Sequence, residues 1–192
     1  MSTFGAITLY KRNEDNRIEY WCRKKQEGIQ MSDVVVVYYS LEGNTRYVAE
    51  KIAGLLEADL VELKPKKDYP RKGFMKYFHG GKDVTTNAKP KLLPYHVNWN
   101  ECEKVVIATP IWARSYAAPI NTFLQDNQEE LRKKEISVYV GYRGNTGNTI
   151  ETIKENLQID KLKSVLKLVD PLAKPSKEKE EEIMRFVQEI QK

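Results

Sequence analysis

Cysteine and histidine are scarce in this sequence: Cys22 and Cys102, His79 and His96 complete the inventory. No CxxC spacing and no histidine cluster accompany the cysteines, which excludes a disulfide scaffold and a structural zinc site. Both thiols are expected to be reduced. Long apolar runs are missing too. The longest, Val34 to Tyr39, falls far short of the ~20 residues of a membrane-spanning helix. The first 30 residues carry Lys11, Arg12, Arg17, Arg23, Lys24 and Lys25 without an apolar stretch among them, so a secretory signal is not expected and the cytoplasm is the expected location. Neither a Walker phosphate loop nor a GxGxxG fingerprint occurs, which removes the NTPase and dinucleotide readings. Internal repeats are lacking as well.

What is present is globular. The 192 residues are 41% hydrophobic and 31% charged, a composition that excludes disorder and fibres and a length that favours one domain. From Asp33 onward short apolar runs alternate with amphipathic stretches, the pattern of βα units around a parallel sheet. Five strands are expected: Val34 to Tyr39, Asp59 to Leu63, Lys104 to Thr109, Ile136 to Val140 and Val165 to Val169. The first and third are almost continuously β-branched, as strands buried on both faces are. Helical spacing is clearest in Thr45 to Leu56, through Val48, Ile52, Leu55 and Leu56. Further helices carry Ile120, Phe123 and Leu124 after Pro119, Ile150, Ile153 and Leu157 after Asn148 or Thr149, and Ile183, Val187 and Ile190 after an N-cap at Ser176. Residues 1–30 form an N-terminal extension, with Ile7 to Tyr10 and Ile18 to Cys22 as the arms of a candidate hairpin or else disordered, and residues 31–192 form the main domain. Residues 65–100, rich in Pro and Gly, read as a long connection with one short helix around Lys72 to Phe78.

The segment Ser40-Leu41-Glu42-Gly43-Asn44-Thr45 joins a buried strand to a helix. Such a turn directs backbone N–H groups and the positive end of the helix dipole at one point, to which Ser40, Asn44 and Thr45 add side-chain donors. Without Lys or Arg in the loop, it suits a phosphate monoester held in place through neutral donors; a polar helix cap without ligand has the same residues. Two more loops follow strands: Pro110-Ile111-Trp112-Ala113 and Gly141-Tyr142-Arg143-Gly144-Asn145-Thr146-Gly147. In an open α/β sheet, ligands bind outside the carboxyl ends of the strands near the topological switch point. Trp112 offers a flat apolar wall, with Tyr142 or Tyr116 as a second, and the glycines allow a planar heterocycle close approach to the backbone.

In order and spacing, VVVVYYSLEGNTRYVAEKIA, VVIATPIWA and GYRGNTGNTIETIKENL resemble the flavodoxin family, in particular a short-chain bacterial branch with a Pro-Ile-Trp loop; the resemblance covers residues 33–192. It implies a flavodoxin-like doubly wound five-stranded parallel sheet, order 2-1-3-4-5, with helices on both faces, and FMN as cofactor. On this match Ser40 to Thr45 would hold the FMN phosphate, Pro110 to Ala113 would form the first isoalloxazine loop and Gly141 to Gly147 the second. No catalytic side chain and no metal ligand are expected.

Charge departs from the family. The chain has 32 Lys and Arg against 27 Asp and Glu, a net +5, where many electron-carrying flavodoxins are strongly acidic. Nine of the cations fall between Lys64 and Lys91, and the run reads as a solvated face rather than a nucleic-acid patch. Arg143 places a further cation in the second loop. Three functions remain open at this level: an electron carrier serving redox partner proteins, acidic ones among them; an FMN-dependent NAD(P)H:quinone-type reductase; and a non-redox binding module using the basic 64–91 stretch. The sequence leaves the oligomeric state undetermined.

Overall fold

The computed structural model describes residues 33–67, 69 and 88–192; the candidate hairpin of the extension and the short helix expected around Lys72 to Phe78 lie outside them. Five parallel strands, β1 (Val34–Tyr38), β2 (Asp59–Glu62), β3 (Lys104–Trp112), β5 (Glu135–Tyr142) and β6 (Ser164–Val169), lie in the order β2-β1-β3-β5-β6. A two-residue strand, β4 (Ser115–Tyr116), pairs antiparallel with the end of β3. Leaving out this hairpin strand, the order is the expected doubly wound one. Consecutive βα crossovers of one hand build such a sheet, and the switch in direction falls between β1 and β3.

The alternation of side chains splits the core in two. Val35, Val37, Val105, Ile107, Val138 and Val140 face one side and pack with Ile120, Phe123 and Leu124 of α2 (Ala118–Asp126), Leu131 of α3 (Gln128–Leu131), and Ile153 and Leu157 of α4 (Thr149–Leu157). Val34, Val36, Val106, Ala108, Tyr139 and Leu166 face the other. They pack with Val48 and Ile52 of α1 (Asn44–Leu56) and Ile183, Phe186, Val187 and Ile190 of α5 (Lys177–Gln191). Helices thus cover both faces, and β1 and β3 have no exposed side, which is why their sequences are nearly unbroken valine and isoleucine. The last helix starts as the sequence indicates, with Ser176 Oγ accepting from the Lys179 N–H at 3.3 Å. Strand β6 is different. It pairs only with β5 among the described residues, and while Leu166 and Leu168 enter the core, Val165, Lys167 and Val169 stand exposed on its other face.

Two elements depart from the expected scheme. Strand β3 does not stop at Thr109 but runs on through Pro110, Ile111 and Trp112, turns at Ala113 and Arg114, and returns as β4. Pro110 is tolerated because it ends the parallel ladder, opposite Gly141. The described ends of the long connection after β2 pair with each other: Pro65 bridges Leu92, with Lys66 N–H donating to Lys91 O and Leu93 N–H to Lys64 O, both at 2.7 Å. Side chains of α2 fasten its return, Asn121 Nδ2 donating to Ala88 O at 3.2 Å and Thr122 Oγ1 to Pro90 O at 3.0 Å. No helix among the described residues is long and apolar enough to cross a membrane.

Candidate functional site

Because the long strands are parallel, their carboxyl ends share one edge, where the following loops enclose a crevice of about 400 Å³. That is a size typical of cofactor and small-ligand sites. Its wall takes Ser40, Leu41, Glu42, Asn44 and Thr45 from the loop after β1, Pro110, Ile111, Trp112 and Ala113 from the β3–β4 hairpin, and Gly141, Tyr142 and Arg143 from the end of β5. Asp170 and Pro171, after β6, complete it. Sequence reasoning missed these last two, although the same strand-end rule points to them.

The turn into α1 is shaped by Gly43, whose φ of 94° places it in the left-handed region that favours glycine. Ser40 Oγ accepts the Gly43 N–H at 3.1 Å, which folds the turn on itself. No side chain caps the helix, so the N–H groups of its first turn, which have no intrahelical partner, are not taken up by a cap beside the crevice that Asn44 and Thr45 line. Asn44 Oδ1 accepts from Leu172 N–H at 3.1 Å, leaving its amide NH₂ as the donor end. Arg46, the first cation after the turn, is engaged elsewhere, with Glu62 and, at 3.3 Å, with the Tyr38 hydroxyl. Burial and the neighbouring Glu62 carboxylate push the Tyr38 phenol up to about 12, so it remains a neutral partner. The donors that remain at the turn are neutral.

Trp112 is half-buried and held by two tyrosines. Its ring stands at 86° to Tyr39 with centroids 5.3 Å apart and at 71° to Tyr69 with centroids 4.8 Å apart, both T-shaped pairs. The hairpin turn that follows has φ of 44° at Ala113 and 67° at Arg114, the left-handed values a tight two-residue hairpin requires, here without a glycine. Gly147 (φ 56°) lies directly against this turn: a Cβ there would come 2.0 Å from Arg114 O. Gly147 therefore braces the hairpin from behind, and with Gly144, Asn145 and Thr146 it stands outside the crevice wall, as does Gly43. Tyr116 is no rival to Tyr142 as a wall of the crevice. It is buried in the core, its hydroxyl accepting from Asn156 and donating to Asn121 Oδ1 at 3.3 Å.

Arg143 bridges two loops across the mouth, Nε to Asp170 Oδ1 at 2.7 Å and Nη1 to Glu42 Oε2 at 3.6 Å. Among the described residues this sets one cation between two carboxylates, a balance the sequence reading, which considered Arg143 alone, did not contain. Beneath the crevice floor the Tyr139 hydroxyl is buried without a hydrogen-bond partner.

The flavodoxin family model matches residues 33–190. No curated protein matches significantly. Solved structures with the same fold include a Lactobacillus acidophilus flavoprotein in complex with FMN, 20% identical with a TM-score of 0.61 over 72% of this chain and 93% of that one. A protein from Bacteroides eggerthii assigned as a flavoprotein is 21% identical, with a TM-score of 0.65 over 83% of this chain and 98% of the other. Another from Bacteroides uniformis is 17% identical, with a TM-score of 0.66 over 81% and 97%. A sheet wound in this order, with its crevice at the carboxyl edge and a family match that spans the whole of it, leaves one conclusion: the chain belongs to the flavodoxin family.

Proposed function

We propose that the chain binds one FMN non-covalently in this crevice and passes electrons through it to a redox partner protein. The observation that carries the reading is the convergence on one crevice of a turn of neutral donors, a fixed tryptophan and the open backbone at Gly141. Bound flavin supplies the redox chemistry itself, and the polypeptide sets its position, exposure and electrostatics.

The residues suit those tasks. At the mouth of α1, Ser40, Asn44 and Thr45 with the first-turn N–H groups would hold the phosphate without a cation, at the positive end of the helix dipole. Pro110, Ile111, Trp112 and Ala113 would border the ring system on one side and Gly141, Tyr142 and Arg143 on the other. Trp112 needs little reordering to do so, because Tyr39 and Tyr69 already fix its plane. Gly43, Gly144, Asn145, Thr146 and Gly147 would support these loops rather than line the cavity. The exposed Lys66, Lys67, Lys89 and Lys91 would favour an acidic partner.

Titrating the apoprotein with FMN and with riboflavin tests the reading. Tight binding of FMN with an altered flavin absorption spectrum is expected, riboflavin binding far more weakly. Replacing Asn44 and Thr45 together with Ala removes two donors to a charged group, each worth roughly 1.5–3 kcal/mol, and should abolish the preference. A double variant that still prefers FMN removes this turn from the site. Rapid oxidation of NADPH or NADH by the holoprotein alone would replace the carrier reading with that of a reductase.

A further inference from the structure

Behind the turn that opens α1 lies a phenol hydroxyl with nothing to bond. Tyr139, in the middle of β5, is fully buried, and its Oη has neither donor nor acceptor partner. Buried hydroxyls are normally satisfied, and one left alone carries a desolvation penalty that the fold must offset elsewhere. Its position is informative. A Cβ on Gly141 would lie 2.9 Å from Tyr139 Oη and 3.7 Å from Thr45 Oγ1. Both hydroxyls therefore border the small space that Gly141 keeps open by having no side chain. Thr45, in the first turn of α1, forms part of the crevice wall, so Tyr139 sits one layer behind the donors of the mouth.

Given the phosphate seat proposed above, we propose that Tyr139 is a positioning residue for it: the Tyr139 O–H donates to Thr45 Oγ1 when the Thr45 O–H donates to an oxygen of the phosphate. A hydroxyl that donates to an anion becomes a better acceptor, so the two bonds reinforce each other. Riboflavin, which ends in a neutral hydroxyl, engages the relay far less. The phenol keeps its proton throughout, because burial raises its pKa. Together the orphaned hydroxyl, the missing Cβ and the cation-free turn form a site that senses the charge of the ligand's end.

The test is Tyr139→Phe, which deletes one oxygen and no packing volume. Kd for FMN and riboflavin is measured by flavin fluorescence for the wild type, Tyr139→Phe, Thr45→Val and the double variant, and the melting temperature of each apoprotein is recorded. The expected result is an FMN affinity about 3- to 10-fold lower in Tyr139→Phe, with riboflavin affinity unchanged and an apoprotein melting at higher temperature because the orphan is gone. In the Thr45→Val background the same change should leave the FMN to riboflavin ratio where it was. An unaltered ratio in the single variant, an equal fall for both ligands, or a full effect without the Thr45 hydroxyl overturns the relay while the FMN reading stands. A wild type that fails to prefer FMN over riboflavin overturns the phosphate seat, and the relay with it.

Discussion

Tyr139 and Gly141 stand two residues apart on one face of β5 and compete for a single space. A methyl group on Gly141 would meet the Tyr139 hydroxyl at 2.9 Å, whereas the next atoms, Tyr139 Cζ at 3.5 Å and Thr45 Oγ1 at 3.7 Å, are at ordinary contact distance. Gly141→Ala should therefore destabilise by about 1–3 kcal/mol as an overpacked core position, and Tyr139→Phe should restore most of that loss in denaturant unfolding of the pair. Trp112 has a separate role. With FMN bound beside it, its fluorescence should be quenched, and Trp112→Phe should lose most of the quenching, whereas Trp99, stacked on Phe123 with centroids 6.3 Å apart, should contribute little. Equal quenching in both proteins would remove Trp112 from the ring pocket. Cys102 is buried and its thiol is pushed up to about 11, chiefly by that burial. Iodoacetamide at pH 8 should leave Cys102 unmodified in the folded protein, as peptide mass mapping can verify.

The hairpin of β3 and β4 shows which elements announce themselves in a sequence. Strand β1 was legible because burial on both faces demands an unbroken apolar run, and α1 because one apolar stripe faces the sheet. Strand β4 was not, since two residues carry no period and its turn, Ala113-Arg114, lacks the glycine that marks such hairpins. Pro110 further disguised the extension of β3, because proline usually ends a strand. The four-residue α3 is equally short of signal. Most of the crevice was legible nonetheless, through the donor-rich turn and the strand-end rule. What escaped were contributions without local pattern: Asp170 and Pro171 at the far loop, the tyrosines behind Trp112, and the bracing role of Gly147. Gly147→Ala should cost more than an ordinary loop substitution, about 2–4 kcal/mol, since the new Cβ would strike a backbone oxygen in a left-handed residue. Thermal melting measures it, and a loss below about 0.5 kcal/mol would show that the hairpin shifts freely.

For the molecule as a whole, the sign of charge matters at two places. Arg143 lies between Glu42 and Asp170, and Arg143→Glu would replace the cation of these two pairs by a third carboxylate. Added negative charge opposes electron uptake, so the variant's flavin potential should fall, on the order of tens of millivolts for a partly exposed group. A potential that stays put or rises in spectroelectrochemical titration would separate this charge from the flavin. The other place is β6, which among the described residues is hydrogen-bonded on one side only. In β6, Lys167 stands between Val165 and Val169 on the exposed face, so a cation interrupts what would otherwise read Val-Leu-Val-Leu-Val. Such five-residue apolar stretches on an open edge recruit copies of themselves. Lys167 is therefore expected to act as a gatekeeper against self-association, and Lys167→Val should leave flavin binding intact while the protein begins to scatter light at a lower temperature and with a steeper dependence on concentration.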